Sequence, residues 1–317
     1  MNNSKRITEG ALMAGIYLLL LLVIIFLPGG IGSLLLFILP VPYIYYSSRH
    51  GWKPGLLLFC LTMIFSVLIV PVLSVPFTLT AGIGGVVSGG VLYAGRSAYE
   101  SLALGTVGYT GGLMLGMGLV QLLLGINLVD ELTAGMNDSL DTVESTMGAF
   151  GQVENSEEAV DTFREAVTFI PDIIPSILVM TSVMTALISL WLTFKLMNRI
   201  ENKSYAFASF KNFRLPTAIL WYYFFAMILN YVVADREGWV YFGAINVFIV
   251  AGTLIAIQGF SFVFYYASQK KWPKAVPVLV IVFSLLSPGL IMYLVRILGI
   301  IDLGFPLRSY VSEKKKN

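Results

Sequence analysis

The run Gly10-Ala11-Leu12-Met13-Ala14-Gly15-Ile16-Tyr17-Leu18-Leu19-Leu20-Leu21-Leu22-Val23-Ile24-Ile25-Phe26-Leu27 carries eighteen residues without a charge. As a helix it measures about 27 Å, close to the roughly 30 Å of a bilayer's hydrocarbon core. Comparable runs recur at about 31–48, 55–75, 77–95, 101–126, 171–197, 215–234, 240–267 and 275–298. Their apolar character is continuous and lacks the period-2 alternation of a lipid-facing barrel strand. Helices close every backbone hydrogen bond within the segment, where lipid offers no partner. The fold class is therefore all-α, a polytopic integral membrane protein of eight or nine spans.

Composition points the same way. Charged residues make up 12% of the 317 positions, against roughly 25% in soluble domains. Hydrophobic residues make up 57%, and the mean hydropathy is +0.83. With a net charge of +2 there is no basic face for nucleic acid. A single cysteine, Cys60, and a single histidine, His50, exclude an internal disulfide framework and His- or Cys-rich metal sites. The first apolar run ends in Leu27-Pro28-Gly29-Gly30 and lacks a small-residue cleavage site, so helix 1 is expected to stay in the mature protein.

Basic residues orient the chain. Placing Lys5 and Arg6 in the cytosol puts thirteen Lys and Arg in inside loops and two, Arg164 and Arg236, outside. Nine crossings would leave Arg308 and Lys314-Lys315-Lys316 outside, against that bias. Ser287-Pro288-Gly289 interrupts the last run and can turn it into a re-entrant hairpin that returns the tail to the cytosol.

The largest hydrophilic stretch, 127–170, falls outside, and Asp130 to Asp172 contains eleven of the eighteen acidic residues. Leu132, Met136, Leu140, Val143, Met147 and Phe150 recur at helical spacing, and Phe163 and Val167 continue after Glu154-Asn155-Ser156-Glu157-Glu158. Two short amphipathic helices are expected, forming a solvated hairpin or a lid over an outward site. Beneath such a lid, Tyr109, Gln121 and Asn127 are the candidate substrate-binding residues.

Small residues stand four apart in three spans: Gly10 with Ala14, Ala11 with Gly15, Gly85 with Gly89, and Gly108 with Gly112 and Gly116. This spacing leaves a flat face for a close helix neighbour, within the chain or outside it. The glycines Gly82, Gly84, Gly85, Gly89 and Gly90 follow no strand, so no dinucleotide loop is expected, and no Walker lysine motif exists. Ionisable residues at mid-membrane are nearly absent, Arg296 and Asp302 lying in the disputed last run. That disfavours a transporter coupled by itself to protons or sodium. Metal-ligand spacing, a triad histidine and paired carboxylates on a membrane helix are all missing, so no enzyme and no cofactor is expected.

The opening Thr8-Glu9-Gly10-Ala11-Leu12-Met13-Ala14-Gly15 resembles the first helix of the substrate-binding S components of energy-coupling-factor (ECF) vitamin importers. Leu39-Pro40-Val41-Pro42-Tyr43, the basic loop Arg49-His50-Gly51-Trp52-Lys53-Pro54-Gly55 and the glycine-rich fourth and fifth spans extend the likeness over residues 1–200. As a whole, with Gln258-Gly259 and Leu298-Gly299-Ile300-Ile301-Asp302-Leu303, the chain resembles the YybS-like bacterial membrane proteins, a family grouped near those S components. The resemblance implies an S-component-like six-helix unit at 1–200 with both ends cytosolic, and a C-terminal helical extension at 201–317. It further implies partner docking through Gly10, Ala11, Ala14 and Gly15, with a transmembrane coupling subunit and ATPases as partners.

Two functions follow. One is a non-enzymatic binding protein that captures a small molecule at the outer face for partner-dependent uptake. The other is a membrane scaffold or regulator acting through protein or lipid contacts, its basic loops facing anionic lipid.

Overall fold

The structure is a computed structural model that describes residues 3–27, 31–71, 73–149, 157–236, 238–287, 289–305 and 307–309. All regular structure in the described residues is helical. The chain divides into two compact units, Met1–Ala206 and Phe207–Asn317.

The first unit holds α1 (Asn3–Phe26), α2 (Ile31–Leu35), α3 (Val41–His50), α4 (Trp52–Ile69), α5 (Ser74–Tyr93), α6 (Ala98–Leu124), α7 (Leu128–Ala149) and α8 (Glu157–Glu201). Of these, α1, α4, α5, α6 and α8 are long and apolar enough to cross a membrane. The continuous span expected at 31–48 is instead broken into α2, a turn and α3. Pro40 and Pro42 lack the amide hydrogens a continuous helix needs, so the chain turns before Val41 and restarts with proline in the first helical turn. An interrupted helix is tolerated at membrane depth when protein surrounds it, and every residue of α3 from Val41 to Ser48 is buried.

Helix α5 is the hub. A Cβ on Gly112 of α6 would stand 2.7 Å from Thr80 Cα, while one on Gly84 of α5 would enter the Tyr109 ring. The glycine spacing of spans 4 and 5 is thus consumed inside the chain. Gly85 and Gly89, on another face of α5, admit Tyr43 and Ile44 of α3 in the same manner. Buried hydroxyls tie the layers together: Tyr17 of α1 donates to Thr78 at 2.7 Å, Thr78 reaches Ser66 at 3.1 Å, and Tyr43 meets Thr62 at 2.6 Å.

The acidic stretch forms α7 and the first part of α8. Arg164 joins Asp141 at 3.2 Å and Glu144 at 2.9 Å, all three exposed. The second amphipathic helix is no separate element. It runs through Pro171 and Pro175 into the following span, giving one helix of 45 residues. The two prolines are four apart and share a face, so the missing bonds fall on one side. Phe150 and residues 154–156, where the polar break was expected, lie outside the described residues.

The second unit contains a 3-10 turn (Phe210–Asn212), α9 (Ala218–Val232), α10 (Trp239–Gln269), α11 (Ala275–Leu286) and α12 (Leu290–Gly304). Only α10 among these helices meets the length of a full crossing; α9 and α11 are shorter apolar helices. The run expected at 275–298 divides between α11 and α12, with Pro288 outside the described residues. Gly252 faces Arg296, Gly299 faces the Ile255 carbonyl, and Tyr265 donates to the Arg308 carbonyl at 3.0 Å. Both numbers rise together, so α12 runs parallel to α10 and ends where α10 ends, beside the Lys270-Lys271 loop. Lys314 to Lys316, which the sequence reading returned to the cytosol, lie outside the described residues.

Candidate functional site

The three residues expected to line an outward pocket are not brought together. Tyr109 is completely buried, its ring on Gly84 and its hydroxyl beside Ser88 and Ser189. Gln121, twelve residues or about 18 Å further along α6, is exposed. Asn127 follows α6 and caps α7, its Oδ1 accepting from the Val129 amide at 3.0 Å.

The four docking positions on α1 separate into two pairs. Ala14 is 6% exposed and packs with Tyr17, Tyr43 and Tyr46. Gly10 meets Tyr46 as well, since a Cβ there would stand 3.1 Å from the phenol oxygen. Ala11 and Gly15 face outward and are exposed.

A charged network gathers at the end of the first unit where α1 begins and α8 finishes. Arg49, at the end of α3, donates through Nη1 to Glu9 Oε1 at 3.1 Å and to the Tyr45 hydroxyl at 3.0 Å. Its Nε lies 3.2 Å from Glu201 Oε1, and Lys203 Nζ lies 2.9 Å from the other oxygen of that carboxylate. His50 Nε2 is 2.7 Å from Glu9 Oε2, with its side chain 1% exposed and its ring tilted on Tyr46. Burial works against the Arg49 charge, but Tyr45, Glu201 and Glu9 hold its pKa above the usual guanidinium value. The sequence marked Arg49 and His50 only as loop cations. The available signal was their i, i+4 spacing from Tyr45 and Tyr46, which puts all four on adjoining faces of one helix. The network clasps α1, α3 and α8 together.

Beside this end, α4, α5 and α6 enclose a groove of about 660 Å³, lined by Trp52, Leu56, Phe59 and Val87, with Arg96 and Glu100 on its rim. Its walls are apolar. The rim is set by a capping box in which the Ser97 amide donates to Glu100 at 2.8 Å and the Glu100 amide to Ser97 Oγ at 3.2 Å. Arg96 pairs with Glu100 at 3.4 Å, both exposed, and Lys53 Nζ stands 5.7 Å from the Trp52 ring centre. The groove thus opens at the end of α6 opposite to Asn127 and the acidic hairpin.

In the second unit, Gln258 and Asp302 serve each other. Gln258 Oε1 accepts from the Leu215 amide at 2.9 Å, and its Nε2 donates to Asp302 Oδ2. Asp302, 1% exposed, also receives Arg308 Nε at 2.9 Å and Nη2 at 2.7 Å. Arg308 Nη1 continues to the Lys211 carbonyl at 2.9 Å. Ser261 Oγ stands 2.8 Å from the Phe210 carbonyl and 2.9 Å from that of Phe213. The segment before α9 is thereby fastened to α10 and α12. Spacing along the sequence could not have joined Gln258 to a residue 44 positions away.

A family of proteins described as predicted membrane proteins (DUF2232) matches residues 15–303. The chain belongs to this family. Arg49, His50, Glu201, Gln258 and Asp302 fall inside the matched region, and Glu9 and Arg308 just beyond it. A relative from Bacillus subtilis (strain 168), named "Uncharacterized protein YybS", is 27% identical over 318 residues, which cover 98% of this chain and all of the relative. No solved structure matches the chain.

Proposed function

We propose that this protein is a non-enzymatic scaffold or regulator of the bacterial membrane, working through lipid and protein contacts at its cytosolic end. The observation that carries this reading is the apolar groove between α4, α5 and α6, which opens beside Trp52, Lys53 and Arg96. With the N-terminus in the cytosol, that groove lies in the inner leaflet. Trp52 is then at the level where aromatic belts form, and Lys53 and Arg96 at the level of the headgroups. An anionic phospholipid fits: acyl chain along Phe59 and Val87, phosphate toward the two cations, each contributing about 1 kcal/mol near an anionic surface. Solute capture under the acidic hairpin has less support, because Tyr109, Gln121 and Asn127 diverge.

The test is lipid analysis of the protein purified in mild detergent from its own membrane. Anionic phospholipid should be retained, and Val87→Trp, which fills the groove, should release it while Arg96→Gln weakens it. Retention of a water-soluble solute together with a coupling subunit and an ATPase pair would overturn this reading in favour of uptake.

A further inference from the structure

Arg296 lies on α12 against Gly252, the fourteenth residue of the 31-residue α10 and so close to the middle of that crossing. A Cβ at Gly252 would stand 3.4 Å from Arg296 Cζ and 3.2 Å from the Tyr223 ring. The guanidinium therefore occupies the cleft where α9, α10 and α12 meet. One wall is rigid, since Tyr223 is 7% exposed and stacks on Phe248 with ring centres 5.0 Å apart. Arg296 Nε is buried and has no hydrogen-bond partner among the described residues. Asp302, two turns along the same helix, is occupied by Arg308 and Gln258.

A charge at mid-membrane is rare, expensive, and found paired or lining a polar path. Sequence alone placed Arg296 in a disputed segment, whereas the parallel course of α10 and α12 puts it at mid-crossing. We propose that Arg296 is the docking point for a carboxylate carried at mid-span by a membrane helix of another protein. This stands on the second unit alone and is independent of the groove in the first.

The chemistry of the occupant follows from depth and charge. Lipid phosphates sit about 15 Å away at the edge of the hydrocarbon. A second copy of this chain offers no free carboxylate at that level. Among the described residues the acids on its candidate spans are Glu9, Glu100, Asp161, Glu165, Asp172 and Glu201, all away from mid-crossing, and α12 adds the committed Asp302. Exposed Tyr293, three residues before Arg296 on α12, supplies apolar surface next to it, as a docked helix requires. What such a helix must add is one Asp or Glu.

The experiment uses full-length protein in vesicles with a synthetic leucine-rich transmembrane peptide bearing one central Asp, and energy transfer between labels as readout. The same peptide with Asn in place of Asp is the control. Wild-type protein should bind the Asp peptide about tenfold more tightly than the Asn peptide. Arg296→Gln should erase that preference, and Arg296→Lys, which keeps the charge, should retain part of it. Equal binding of the two peptides by wild-type protein would overturn the proposal, whatever the variants do. So would a preference that survives in folded Arg296→Gln. Loss of the preference on adding acetate would assign Arg296 to a soluble anion and overturn helix docking.

Discussion

Gln258 on α10 donates its side-chain amide to Asp302 on α12, and the same carboxylate holds the Arg308 guanidinium through two of its nitrogens. Three residues spread over fifty positions thus form one buried unit, and its parts are not interchangeable. Asp302→Ala strands the positive charge of Arg308, whose side chain is 14% exposed. Breaking a buried pair in this manner costs about 3–5 kcal/mol, whereas removing both partners costs less. Thermal unfolding in detergent should show Asp302→Ala well below wild type, and Asp302→Ala with Arg308→Ala above the single variant.

The direction of α12 gives a second prediction. Gly259 lies against the Val295 carbonyl and Gly299 against the Ile255 carbonyl, so the two helix backbones touch at both positions. With α12 parallel to α10, residues 271 and 309 are on the same side of the membrane. Single cysteines at Lys271 and Ser309, in a Cys60→Ser background, should be labelled together or protected together by an impermeant reagent. Opposite behaviour would refute the parallel arrangement.

Neighbouring glycines in α6 should behave oppositely. A Cβ at Gly112 would press on the Thr80 backbone, while one at Gly111 meets nothing within 4 Å. Gly111→Ala should therefore leave the protein as stable or raise stability by about 0.5–1 kcal/mol, the helix preference of alanine over glycine. Gly112→Val should separate α5 from α6 and lower the melting temperature by several degrees. Equal effects at the two sites would contradict the α5–α6 register.

The fold class was legible because hydrophobic runs of bilayer length have few other uses. Runs alone could not show where a crossing breaks. Pro40 and Pro42 were visible, yet whether prolines kink, end or pass through a helix depends on what surrounds them. In the first unit Pro40-Val41-Pro42 stops α2, while Pro171 and Pro175 leave α8 uninterrupted. The site was less legible still. Tyr109, Gln121 and Asn127 share a segment, but a helix turns neighbours in sequence toward different surroundings. The Glu9–Arg49–Glu201 clasp joins residues up to 192 positions apart, with no periodicity to announce it.

That clasp has its own consequence. Glu9 is the side chain by which α1 meets both Arg49 and His50. Glu9→Gln removes the charge while keeping the shape, leaving Arg49 with Glu201 and His50 without a carboxylate. Hydrogen bonds to charged groups contribute about 1.5–3 kcal/mol each. Hydrogen exchange should rise in the first turns of α1 and stay unchanged in α5, whose packing does not involve Glu9.

Two alanines on α1 separate docking from packing. Ala14 is buried in the core cluster that holds Tyr17, Tyr43 and Tyr46, so Ala14→Leu overfills the core and should destabilise the unit by about 1–3 kcal/mol. Ala11 is exposed on the adjoining strip of α1, which it shares with exposed Gly15, so Ala11→Leu should leave thermal unfolding unchanged. A partner helix that uses the small residues of α1 must approach through Ala11 and Gly15, because Gly10 is already covered by Tyr46 and Ala14 is buried in the core. Loss of a co-purifying membrane protein in Ala11→Leu, with melting unchanged, would establish that face as a docking surface. Loss in Ala14→Leu alone, accompanied by a lowered melting temperature, would show that small residues here serve only the protein's own core.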